Sequence, residues 1–106
     1  VATVPTVPYF TYGTPELAAA VRECLRGTDS KALLMANHGM VAYGDSLEKA
    51  FAVAMTCEWC AQVEWRAMAI STPNVLSDEQ MAEVIEHYKT YGQAKEDGKK
   101  SQGYFG

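Results

Sequence analysis

The chain has no apolar run of membrane-spanning length. Its longest weakly charged stretch, residues 50–57, falls far short of the roughly 20 residues that a spanning helix needs. It opens Val1-Ala2-Thr3-Val4-Pro5, without an initiator methionine, a basic n-region or an apolar signal core. The missing methionine is read as the mark of a processed or truncated product. Cysteine is scarce: three is an odd number and too few for a disulfide scaffold, which points to a reducing compartment, the cytoplasm by default. Basic residues number 9 against 13 acidic ones, for a net charge of −4, and no basic stripe is present. Nucleic acid is therefore a poor partner. No Ser-His-Asp set, Gly-rich phosphate loop or paired-carboxylate motif is visible.

What is present is an ordinary globular balance, 48% hydrophobic and 21% charged residues in 106. At about 150 residues per domain this is one compact domain or part of a larger one. A chain this short buries a modest fraction of its surface, so partners are expected to complete the core. The first dozen residues mix β-branched residues with Pro5 and Pro8, which predicts an extended edge segment with at most a short strand. Thr14-Pro15-Glu16 is a helix start, with Thr14 as cap, and Leu17, Ala20, Val21, Cys24 and Leu25 form one apolar face up to a stop at Gly27. Residues 32–36 read as a buried strand and 40–43 as a second short strand closed by Gly44.

Asp45, Ser46 and Glu48 mark the start of a long helix expected to run to about residue 70, before Ser71-Thr72-Pro73. Leu47, Phe51, Ala54, Glu58, Ala61, Trp65 and Met68 form one stripe along it, and Ala50, Val53, Cys57, Cys60 and Ala67 a second. So wide an apolar surface predicts burial on more than one side, by further sequence or by neighbouring subunits. Ser77-Asp78-Glu79-Gln80 is a capping box for a last helix through Met81, Val84, Ile85 and Tyr88, ended by Gly92. Residues 94–106 are charged and Gly-rich and are read as a mobile tail. The layout is extended–α–β–β–α–α, an α+β or α/β arrangement too thin in strands to close a sheet alone.

His38 is the most informative side chain. It sits where an apolar strand ends, between Asn37 and Gly39. A strand terminus is a stiff platform for an imidazole, a common ligand of zinc, and Asn37 is placed to help hold the neighbouring backbone. The same three residues are also good hairpin chemistry with no metal in it. Other candidates are weaker. His87, near Glu83 and Glu86, reads as part of a solvated helix face, and Cys57 and Cys60 as core packing, since mid-helix is the wrong place for a redox Cys-x-x-Cys. Glu58 interrupts an apolar stripe, so burial and a raised pKa are expected, with Arg66 or a neighbouring chain as partner. Tyr88 and Tyr91 lie at the end of the last helix, where a phenol either moves a proton or simply packs.

The segment Ala32-Leu33-Leu34-Met35-Ala36-Asn37-His38-Gly39-Met40-Val41-Ala42-Tyr43-Gly44, with the helix that follows, resembles the class II aldolase/adducin family. Val7-Pro8-Tyr9, then Gly13-Thr14-Pro15-Glu16-Leu17-Ala18, is similar to the segment preceding that motif. Glu58 and Ala61 resemble the family's Glu-x-x-Ala, and Tyr91-Gly92-Gln93 resembles the ending of its L-ribulose-5-phosphate 4-epimerases. The match runs in register to Gln93. It implies residues 1–93 as the C-terminal part of a three-layer α/β/α domain, incomplete on its own.

The resemblance further implies a divalent metal site, Zn2+ or another transition metal, in which His38 is the third histidine beside a His-x-His pair. The metal stabilises an enediolate as a carbon–carbon bond breaks. Tyr91 matches the position of a proton-transferring tyrosine, with Tyr88 competing for that role. The implied activity is aldol cleavage of a small, phosphorylated, sugar-like substrate, with 4-epimerisation and a non-catalytic adducin-like assembly module as alternatives. The implied partners are an N-terminal half carrying His-x-His, which this sequence lacks, and further copies in a homotetramer. Alone, the chain is expected to be inactive.

Overall fold

The computed structural model describes residues 3–90. Tyr91 and the expected tail over residues 94–106 lie outside the described residues. The chain divides into two compact units, Val1–Thr72 and Pro73–Gly106. The first contains β1 (Thr6–Val7), α1 (Pro15–Arg26), β2 (Ala32–Met35), β3 (Gly39–Ala42) and α2 (Leu47–Met68); the second contains α3 (Asp78–Thr90). The fold is mixed α/β.

β1 is short because prolines flank it, but a proline removes only the donor of a ladder. The carbonyls still pair: Leu34 donates to Pro5 O at 2.8 Å and Ala36 to Val7 O at 3.1 Å. β1 thus runs parallel to β2, with Thr6 beside Leu34 and Val7 beside Met35, and α1 is the crossover between them. β2 and β3 form an antiparallel hairpin, so the sheet order is β1-β2-β3. The expected boundaries of α1 hold. Thr14 Oγ1 accepts from Leu17 N at 3.3 Å, Pro15 occupies the first turn, and the Gly27 N–H closes the end on Glu23 and Cys24 carbonyls. Its predicted apolar face is half-buried and packs on β1 and β2.

The core centres on β2. Ala32 and Leu33 are 1% and 0% exposed, and neighbours on a strand point to opposite faces. The sheet is therefore covered on both sides at this level, and both α1 and α2 contact β2. Further along, Leu34 is 42% exposed, so the strand is fully buried only over its first half. Buried Ser30 is satisfied by donating to Ala32 O at 2.8 Å, while Tyr43 OH donates to Ser30 O at 3.0 Å. Gly44 lets the chain turn tightly from β3 into α2, since a Cβ there would meet Lys49 Cβ at 2.9 Å.

The expected start of α2 holds: the cap is Ser46, whose Oγ accepts from Lys49 N at 3.2 Å, while Asp45 pairs with Lys49 Nζ at 2.9 Å. The helix ends at Met68, two residues before the expected limit, because the turn relaxes through Ala67 O, which accepts from both Ile70 and Ser71. Among the described residues only one of the two apolar stripes packs on the sheet. Ala50, Val53 and Cys57 are half-buried over β3 and β2, whereas Leu47, Phe51, Trp65 and Met68 are exposed. Glu58 lies on the exposed side, its Oε1 accepting from Gln62 Nε2 at 3.1 Å, so it is neither buried nor paired with Arg66. Cys60 is exposed as well, and its expected place in the core is not met among the described residues.

The start of α3 matches its capping box: Ser77 N donates to Gln80 Oε1 at 2.9 Å and Gln80 N to Ser77 Oγ at 3.2 Å. Glu48 and Glu79 both lie below the ordinary glutamate value of 4.5, because the ionised carboxylate accepts from its own backbone N–H and then from the neighbouring serine, Ser46 or Ser77. A carboxylate lowered by folding stabilises the fold above its unfolded pKa and loses that contribution as pH falls through the folded one. The urea midpoint is therefore expected to drop as pH is lowered below 4.5. Glu48→Gln with Glu79→Gln should reduce that drop; an unchanged pH profile in the double variant would contradict this origin.

Candidate functional site

β1 and β2 are parallel, so the segments leaving their C-terminal ends emerge side by side. Such ends are where ligands sit in parallel α/β sheets. From β1 come Pro8, Tyr9 and Phe10. From β2 comes the hairpin, in which Met35 pairs with Gly39 and leaves Ala36, Asn37 and His38 as the loop. His38 N donates to Met35 O at 3.0 Å and closes the turn. Asn37 takes φ 63°, a left-handed conformation that asparagine tolerates better than most residues, and Gly39 takes φ 138°, which is nearly exclusive to glycine. Asn37 thus serves His38 through the backbone.

A Cβ added at Gly39 meets nothing within 4 Å, so the obstacle there is conformational and not steric. Gly39→Ala is expected to destabilise the protein by about 1–3 kcal/mol. The check is the urea midpoint, and a loss equal to that of an unconstrained surface position would refute the strain argument.

The His38 ring is exposed, yet held on two sides by residues 28 positions or so earlier. Its Nε2 lies 2.7 Å from Phe10 O. A carbonyl oxygen only accepts, so Nε2 carries a proton, and in the neutral ring Nδ1 is the nitrogen with the lone pair. The Tyr9 ring stacks on the imidazole, with centroids 5.4 Å apart and planes inclined by 12°. The hairpin is realised, and since its turn geometry comes from Asn37 and Gly39 it leaves the His38 side chain to project from the loop.

A catalytic zinc takes three protein ligands. Among the described residues no group of three His, Cys, Asp or Glu side chains is placed to hold a metal. At this end of the sheet His38 thus offers a single donor, short of the three that a catalytic zinc takes. His87 is solvent-facing, 3.9 Å from Glu83 Oε1, as expected of a charged helix face. Tyr88, next to it near the C-terminal end of α3, is exposed as well. Tyr9, quoted only as part of the Val7-Pro8-Tyr9 resemblance, and Phe10 are the neighbours that motif reading did not name as site residues. Their signal is an aromatic pair directly after a proline-terminated strand, but which strand lies beside it is decided only by the sheet.

A mixed α/β unit carrying a clamped histidine at the carboxyl ends of its parallel strands has the form of a ligand-binding or catalytic α/β protein. The chain belongs to the class II aldolase and adducin family: the family model described as "Class II Aldolase and Adducin N-terminal domain" matches residues 1–65. It is 43% identical over 90 residues to an L-fuculose phosphate aldolase of Escherichia coli (strain K12), covering 84% of this chain and 41% of that protein. It is 37% identical over 90 residues to a 5-deoxy-D-ribulose 1-phosphate aldolase of Bacillus thuringiensis serovar kurstaki, covering 85% and 41%. A 5-methylthioribulose-1-phosphate/5-deoxyribulose-1-phosphate aldolase of Rhodospirillum rubrum is 39% identical over 84 residues, covering 79% and 37%. A solved structure of an L-fuculose 1-phosphate aldolase superposes with a TM-score of 0.72 at 37% identity, over 81% of this chain and 40% of the other. The chain spans about two-fifths of the length of the relatives it matches.

Proposed function

We propose that this chain is part of a metal-dependent aldolase that cleaves a small phosphorylated sugar. The observation that carries the reading is His38, exposed and oriented at the carboxyl ends of β1 and β2, in a chain 37–43% identical to proteins named as sugar-phosphate aldolases. A bound divalent metal, Zn2+ in the first instance, supplies Lewis acidity to a substrate carbonyl and hydroxyl. His38 contributes one ligand, and the remaining ligands, including the His-x-His pair, come from a further part of the protein. Tyr91 is assigned proton transfer, at a position beyond the described residues. The exposed stripe of Leu47, Phe51, Trp65 and Met68 supports association with that further part and with other copies in a homotetramer. Three free cysteines, Cys24, Cys57 and Cys60, support a cytoplasmic setting, and no described helix is long and apolar enough to cross a membrane.

The test is retro-aldol cleavage of L-fuculose 1-phosphate and 5-deoxyribulose 1-phosphate by the intact protein, before and after chelation. Aldehyde release that is lost on chelation and restored by Zn2+ supports the reading, and sugar epimerisation without aldehyde release refutes it. Stoichiometric tight zinc on this chain alone, as a pure monomer, would refute the shared metal site.

A further inference from the structure

We propose that Tyr9 is a positioning residue for His38. One short segment supplies both contacts on the imidazole: the Phe10 carbonyl takes the Nε2 proton at 2.7 Å, and the Tyr9 ring covers a face of the ring at 12° to its plane. An exposed imidazole has two soft torsions and, when neutral, two tautomers. The hydrogen bond alone selects the tautomer but permits rocking about the Nε2···O axis; the stacked ring removes that freedom. Together they leave Nδ1 as the one nitrogen with a lone pair and aim it in one direction.

The segment is itself stiff. Pro8 fixes φ just before Tyr9, and the Val7 carbonyl is tied to Ala36 N in the loop that carries His38. The clamp and its target are thus anchored to each other by the β1–β2 ladder. Tyr9 is 56% exposed, so core packing does not explain its place. A phenylalanine would stack equally well, whereas an aliphatic side chain would not present a planar face.

The experiment has two arms, of which only the second rests on the metal reading of His38. In the intact, metal-free protein at about pH 8, where an ordinary histidine is neutral, the His38 Nε2–H proton is followed by NMR and assigned as the imidazole signal that His38→Gln removes. Tyr9→Ala is expected to speed exchange of that proton with water about 10-fold, the equivalent of one weakened hydrogen bond, while Tyr9→Phe keeps the wild-type rate. In the second arm, zinc affinity measured with a competing chelator is expected to fall by about 10–100-fold in Tyr9→Ala and to be retained in Tyr9→Phe. Tyr9→Leu, which keeps apolar bulk without a flat ring, replaces Tyr9→Ala if the latter does not fold. Unchanged exchange in Tyr9→Ala, or a Tyr9→Phe variant as impaired as Tyr9→Ala, overturns the proposal. A wild-type protein that holds no zinc overturns the metal reading alone, and the exchange rates still decide the role of Tyr9.

Discussion

Replacing His38 with alanine is expected to abolish zinc binding by the intact protein while leaving its stability nearly unchanged. The two effects separate because different atoms carry them. The turn is formed by the backbone at Asn37 and Gly39 and by the His38 N–H, none of which the substitution removes. The side chain itself is exposed, and its loss forfeits one hydrogen bond and one stack, together about 1–2 kcal/mol at most. Removal of a metal ligand is more severe than removal of an outer-shell partner, which already lowers affinity by about 10–100-fold. The expected result is thus a loss of zinc affinity beyond about 100-fold with a small shift of the urea midpoint. His87→Ala is the control, since His87 faces solvent near Glu83 and should change neither quantity. A His38→Ala protein that still binds zinc with wild-type affinity would remove His38 from the site.

The opposite pattern is expected at Leu33. It is 0% exposed, pairs with Val41 across the hairpin, and lies in the only part of β2 covered on both faces. Leu33→Ala removes three carbons from a packed position that neighbouring strands and helices hold open. The cost for such a change is about 2–5 kcal/mol, a large part of the roughly 5–15 kcal/mol that stabilises a typical domain. The fully buried apolar set of the described residues is small, Val7, Ala32 and Leu33, so little surrounding core is available to collapse into the cavity. The urea midpoint should fall accordingly at an unchanged m-value. A loss below about 1 kcal/mol would mean that Leu33 does not sit at the centre of the core.

These two residues also mark what could be read directly from the chain. The elements were legible because they rest on local chemistry: Thr14 and Pro15 open α1, Gly27 closes it, the Ser77 and Gln80 pair opens α3, and the prolines restrict β1. The hairpin at Asn37-His38-Gly39 was legible for the same reason, as the positive φ values belong to the residue types that accept them. The start of α2 was legible in Ser46 in the same way, whereas its end was placed two residues late because an unbroken apolar pattern continues past the last helical turn.

Amphipathic spacing on α2 revealed two apolar stripes but not which one faces the sheet. That choice depends on how β3 turns at Gly44 into the helix, and it places Ala50, Val53 and Cys57 inward while Glu58 and Cys60 face outward. Local sequence likewise determined that a histidine stands at the end of a strand. Only the tertiary structure decided that the strand lies parallel to β1, which carries the Tyr9 ring and the Phe10 carbonyl 28 residues away to the imidazole. Capping, turn and period signals act over a few residues and are written in the residue types that make them. Register and facing are set by the burial of the whole sheet, and no single segment encodes them.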